Sequence, residues 1–120
     1  MKTNESAENY LETIFLLSKR LPVVRSVDIA NELNFKKSSI SVAMKHLREN
    51  GHITVNESGF IYLTETGLDI AEKTYEKHEF LTNWLTDIGV DPQVASTDAC
   101  KIEHVLSAES FEAIKKYVRK

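Results

Sequence analysis

The run SVDIANELNFKKSSISVAMKHLRENGHITVNESGFIYL, residues 26–63, decides the fold. Val27, Ile29, Ala30 and Leu33 supply apolar contacts at helical spacing behind Ser26, which reads as an N-cap with Asp28 in the first turn. The turn Asn34-Phe35-Lys36 is short, and a second helix is predicted from about Ser38 to Asn50 with Ile40, Met44 and Leu47 inward. Gly51 then stands where a left-handed C-terminal residue is wanted. Ile53-Thr54-Val55 and Phe60-Ile61-Tyr62-Leu63 flank the polar turn Asn56-Glu57-Ser58-Gly59, which is a hairpin pattern.

Working outward, residues from about Ser6 to Lys19 read as a helix with Leu11, Ile14, Phe15, Leu16 and Leu17 spaced as on one buried face, broken at Pro22. Helix, helix, short turn, helix, hairpin is the layout of a winged helix-turn-helix. Downstream, Thr64 caps a long helix to about Ile88, whose apolar positions are Leu68, Ala71, Tyr75, Leu81, Leu85 and Ile88. Gly89 ends it, and Asp91-Pro92 (cap, then proline at the first position) restarts a helix through Cys100 to about Leu106. Ser107 begins the last helix, with Phe111, Ile114 and Val118 on one side. The expected class is mainly α: an N-terminal winged helix-turn-helix with a β-hairpin wing at 1–63, then an all-helical domain at 64–120.

A hydrophobic share of 42% and a charged share of 28% suit an ordinary globular chain. No apolar run reaches the roughly 18 residues of a membrane span, and the charged N-terminus has no signal-peptide core, so a cytoplasmic location is expected. The single cysteine, Cys100, has no partner for an internal disulfide, leaving its thiol for packing or for a metal. A net charge of −3 argues mildly against nucleic acid, but the distribution argues for it. Between Asn34 and Arg48 stand Lys36, Lys37, Lys45 and Arg48 with no acid, while Glu5, Glu8 and Glu12 crowd the start.

That basic segment is the predicted reading element. A helix-turn-helix places its second helix in the major groove with the N-terminal side chains nearest the bases. Here those are Lys37, Ser38, Ser39, Ser41 and Val42. Small hydroxyls allow close approach, and Val42 can meet a thymine methyl. Lys36, Lys37, Lys45 and Arg48 suit phosphates, which set register without carrying sequence. Glu57 at the wing tip is a poor residue for DNA. A solvated basic helix face, or a winged helix used for protein contact, would give similar charge. The helices that follow would form a homodimer, since two half-sites need two reading heads.

Cys100, Glu103 and His104 sit at i, i+3 and i+4, so a thiol, a carboxylate and an imidazole converge on one side of a helix. That is a plausible metal constellation. His78 lies within the long helix's apolar stripe, and Asn9 and Glu12 are again i, i+3 on the first helix. Taken singly, the cysteine is a small hydrophobe, His78 a core histidine and Glu12 a solvated charge.

Several strings resemble the diphtheria toxin repressor family of iron- and manganese-dependent regulators. They are Glu8-Asn9-Tyr10-Leu11-Glu12-Thr13-Ile14, Val27-Asp28-Ile29-Ala30, Leu63-Thr64-Glu65-Thr66-Gly67, Lys77-His78, Leu85-Thr86-Asp87-Ile88-Gly89-Val90-Asp91, and Ala99-Cys100-Lys101-Ile102-Glu103-His104-Val105-Leu106-Ser107. The resemblance implies that Cys100, Glu103 and His104 match positions binding the regulatory metal in the iron-responsive branch. Manganese-responsive members have a carboxylate where Cys100 stands. Glu12 and His78 match ligands of the manganese branch, and His78 also an ancillary ligand of the iron branch. Asn9 occupies a ligand position filled by aspartate in one branch and methionine in the other. Thr82 and Ser96 replace an ancillary glutamate and histidine, and Val42 replaces a base-contacting glutamine. The sequence stops before the SH3-like third domain of the longer members, so the resemblance implies the two-domain type.

The expected activity is a metal-dependent transcriptional repressor acting on double-stranded operator DNA, with 64–120 as dimerisation and metal-binding domain and with no enzymatic role, membrane or protein substrate. A mixed sulfur, nitrogen and oxygen set favours Fe2+ over Mn2+, while Zn2+, Ni2+ or Co2+ can bind tighter in vitro. The rival expectations are a metal-independent winged-helix regulator whose helical half only dimerises, and a metallohydrolase with Glu103 as base.

Overall fold

The computed structural model describes residues 5–119; the first four residues, on which the signal-peptide reading partly rests, lie outside them. The described elements are α1 (Glu5–Ser18), α2 (Ser26–Leu33), α3 (Lys37–Glu49), β1 (Ile53–Val55), β2 (Ile61–Leu63), α4 (Glu65–Asp87), α5 (Pro92–Val105) and α6 (Ala108–Val118). The chain divides into two compact units, Met1–Glu72 and Lys73–Lys120, and the division falls inside α4.

In the first unit, the inward faces of α1, α2 and α3 contribute Leu11, Ile14, Leu17, Ile29, Ala30, Ile40, Met44 and Leu47 to one core, with Ile53 and Ile61 from the hairpin. The predicted inward residues of α3 are all buried. β1 and β2 pair antiparallel with Ile53 opposite Leu63, Thr54 opposite Tyr62 and Val55 opposite Ile61. Period-two alternation therefore puts Ile53 and Ile61 in the core and Thr54 and Tyr62 in solvent. Val24 adds a short third rung, its carbonyl accepting from the Ile61 N–H at 2.8 Å. At the wing tip Asn56 Oδ1 accepts from the N–H groups of Ser58 and Phe60, and Gly59 adopts φ +81.

Two local expectations are corrected. Ser26 is the first helical residue rather than the cap. Arg25 holds the extended N-cap conformation, and the Asp28 carboxylate accepts its N–H at 2.8 Å, half of a capping box. Leu68 on α4 is exposed, as is Ile88 just beyond the helix end, while Ala71 and Leu81 are buried as predicted and are joined on the inward face by Gly67 and Thr74. The reason lies at the start of the helix. A Cβ on Gly67 would stand 1.9 Å from the His52 carbonyl oxygen, so only glycine lets this turn seat against β1. Thr64 caps the turn as predicted, accepting from the Gly67 N–H and donating to the Gly51 carbonyl at 2.7 Å.

In the second unit, Asp91 caps α5 through the N–H groups of Gln93 and Val94, and Ser107 caps α6 through Ser110. Leu81, Ala95, Ala99 and Phe111 are buried, with Phe80 edge-on to Phe111 at 5.5 Å. The inward stripe of α5 steps by four: Ala95, Ala99, Glu103. No helix among the described residues is long and apolar enough to cross a membrane.

Candidate metal centre and DNA-reading face

Glu103 is in phase with two alanines that are fully buried, so helical periodicity carries a carboxylate into the interior. Only 1% of the residue is exposed. A buried carboxylate is costly unless it is hydrogen-bonded or paired with positive charge. Neither Glu103 oxygen receives a hydrogen bond. Each instead faces a different imidazole: Oε2 lies 3.0 Å from His78 Nδ1, and Oε1 lies 3.3 Å from His104 Nε2. The Cys100 sulfur, a Glu103 oxygen and a His104 nitrogen all lie within 4.8 Å of one another. Donors at metal–ligand distances of about 2.0–2.3 Å from one ion stand that close together. Sulfur, nitrogen and carboxylate oxygen around a buried negative charge fit a divalent transition metal.

The neighbours that set this geometry are local. His78 follows Thr74 and precedes Leu81 on the inward face of α4, and its carbonyl accepts the Thr82 hydroxyl at 2.7 Å. Cys100 sits on the solvent side of the α5 stripe, one turn before Glu103. Asn9 and Glu12 belong to α1 of the first unit: Asn9 is half-buried, its carbonyl accepting from Thr13 at 2.8 Å, and Glu12 is buried at 7% exposure. The second unit thus brings together Cys100, Glu103, His104 and His78, while α1 presents Asn9 and Glu12 one turn apart.

The eight residues singled out for DNA, Lys36 at the N-cap of α3 and Lys37, Ser38, Ser39, Ser41, Val42, Lys45 and Arg48 on it, are all exposed. Val42, at 58% exposure, is an apolar side chain held in water by a well-anchored helix. Ile40, Met44 and Leu47 anchor the opposite side. Arg25 went unnoticed in the sequence: it is exposed at the N-terminus of α2, its guanidinium 4.8 Å from the Phe60 ring centroid at the wing. A cation at the start of the helix that precedes the basic segment was the available signal.

Comparison with known proteins identifies the family. Residues 2–59 match the family model for the iron dependent repressor N-terminal DNA binding domain, and residues 64–120 match that for the iron dependent repressor metal binding and dimerisation domain. An HTH-type transcriptional regulator of Methanocaldococcus jannaschii is 34% identical over 119 residues, covering 98% of this chain and 95% of the relative. The transcriptional regulator MntR of Escherichia coli is 29% identical over 116 residues, covering 97% and 75%. The solved structure of the manganese regulator SloR shares the fold with a TM-score of 0.83 at 23% identity; the match takes in 99% of this chain and 55% of that one. The chain belongs to the iron-dependent repressor family, the diphtheria toxin repressor family its motifs resemble, and is a metal-dependent, DNA-binding transcriptional regulator with a dimerisation domain.

Proposed function

We propose that this protein is a ferrous-iron-responsive repressor of metal-homeostasis genes, acting as a cytoplasmic homodimer on double-stranded operator DNA. The observation that carries it is the Glu103 carboxylate, wholly buried, without a hydrogen bond, and flanked by two imidazoles. Residues 1–63 are the reading domain and 64–120 the dimerisation and metal-binding domain. Cys100, Glu103, His104 and His78 are the ligand core, joined by Glu12 and by the neutral amide oxygen of Asn9. The bound cation would supply the positive charge that offsets Glu12 and Glu103. Ligands drawn from α1 as well as from the helical domain would hold each reading head at a set spacing, removing an entropic cost of engaging two half-sites.

The Cys100 thiolate favours Fe2+, and Mn2+ is the second choice because Glu12 and His78 match the ligands of the family's manganese branch. Zn2+, Ni2+ or Co2+ would bind in vitro without being the effector. On the reading helix, Ser38, Ser39, Ser41 and Val42 face bases, while Lys36, Lys37, Lys45 and Arg48 hold phosphates, with Arg25 as a further cation beside the wing. The protein carries no catalytic function in this reading. The test is operator affinity of the wild type and of Glu103→Ala, with and without Fe2+ under anaerobic conditions. Tight binding by the iron-loaded wild type alone is expected; equal affinity in all four cases removes the switch and leaves a metal-independent regulator.

A further inference from the structure

Three consecutive residues of α4 reach three parts of the helical unit. Glu76 Oε1 accepts from Lys115 Nζ of α6 at 2.7 Å. Lys77 Nζ donates to the Leu106 carbonyl at 3.3 Å. His78 Nδ1 lies 3.0 Å from Glu103 of α5. Successive residues of an α-helix, at 3.6 per turn, project in different directions, so one turn of α4 addresses α6, the α5–α6 corner and α5 together.

Leu106 is the C-cap of α5, and its own N–H closes on the Ile102 carbonyl at 3.0 Å. The last carbonyls of a helix have no intrahelical donor, and helix ends fray. Here the final turn is the one that carries Glu103 and His104. An ammonium at a helix C-terminus satisfies an orphan acceptor and complements the helix dipole. The Lys77 side chain does both, and it is part-buried along that path.

We propose that Lys77 is a positioning residue for the metal ligands. It ties the end of α5 to α4 one residue away from His78, so that Glu103 and His104 keep their separation from that imidazole. Lys77 touches none of the ligand atoms and acts through the α5 backbone. The inference rests on the metal reading above. The Glu76–Lys115 pair, with Glu76 more than half exposed, fastens α6, which bears no ligand, and so serves as an internal control.

The test is an anaerobic Co2+ titration of the full chain, read by thiolate charge-transfer and d–d absorption, with the melting temperature of each metal-free variant alongside. Lys77→Met is expected to bind Co2+ roughly three- to tenfold more weakly, at or below the low end of the cost of losing an outer partner of a metal ligand. Lys77→Arg, which keeps the cation, is expected to restore most of that loss, and Glu76→Gln to bind like the wild type. Lys77→Gln, a shorter neutral donor, covers the event that methionine prevents folding, and weaker binding with an unchanged metal-free melting temperature is expected of it. Wild-type affinity in both Lys77→Met and Lys77→Gln, an arginine variant as weak as the methionine one, or an equal loss in Glu76→Gln would overturn the proposal. A wild type with no cobalt spectrum would overturn the metal reading, and this one with it.

Discussion

The outer face of α3 and the inner face of α5 both carry side chains proposed to act, in DNA reading and in metal binding, and they are built in opposite ways. On α3 the hydroxyls and cations stand in water while Ile40, Met44 and Leu47 hold the helix down from behind. On α5 the key carboxylate is itself on the buried side, in line with Ala95 and Ala99. A reading face can be altered at little cost to folding, because its residues support nothing. The buried Glu103 carboxylate is part of the interior, and its charge is a liability unless a positive charge offsets it. Proposed function and folding are thus separable on α3 and fused on α5.

The largest effect expected from that contrast is at Glu103. Glu103→Gln keeps the shape and removes the buried charge. It should weaken metal binding by about a hundredfold or more, since even outer partners of ligands are worth 10–100-fold. Its metal-free melting temperature should stay at or above the wild type's, because an uncompensated carboxylate has been taken out of the interior. Calorimetric titration and thermal melts read both quantities, and a large drop in metal-free stability would break the contrast.

Next comes the support behind the reading face. Ile40→Ala should destabilise the first unit by about 2–4 kcal/mol as its buried side chain is lost. Its neighbour two positions on, Val42→Ala, should change stability by less than about 0.5 kcal/mol. Urea unfolding separates the two, and similar losses would mean that α3 is not divided into a supporting and a reading side. Sharper still, Val42→Ala should alter operator preference, whereas Lys45→Ala should weaken binding to all sequences and lower the salt slope by about one. Affinity measured across salt concentrations on two operators distinguishes them.

The smallest effect lies at Lys115, whose pKa is raised, chiefly by its hydrogen bond to Glu76. A lysine more basic when folded adds stability that is complete below its unfolded pKa and is lost as pH climbs through the raised value. Wild type should therefore lose slightly more stability than Lys115→Met between pH 9 and strongly alkaline solution. Urea midpoints across that range check the sign.

Much of this was legible beforehand. The positions Ile40, Met44 and Leu47, the turn at Asn56 to Gly59, and the caps Asp91 and Ser107 are local signals, and the structure realises each. The spacing of Cys100, Glu103 and His104 was likewise readable, because three and four residues on a helix mean one face. At the start of α4 the sequence misleads at one position: Leu68 is more apolar than Gly67, yet the helix turns its glycine in, while Ala71 and Leu81 are buried as their spacing predicts. Nothing local reveals that a carbonyl from His52 will come within contact distance of that point. Nor did periodicity single out Lys77 or Arg25, whose partners, Leu106 and Phe60, are 29 and 35 residues away.

From the order of its residues alone, the chain determines to within a residue or so where helices start and stop, and which donor atoms share a turn, since these depend on neighbours within about four positions. Which imidazole meets which carboxylate oxygen, which glycine is pressed against a carbonyl and which lysine closes the end of α5 depend on segments far apart in the chain. Those pairings exist only once the helices pack, because packing, and not sequence distance, sets what stands 3 Å away.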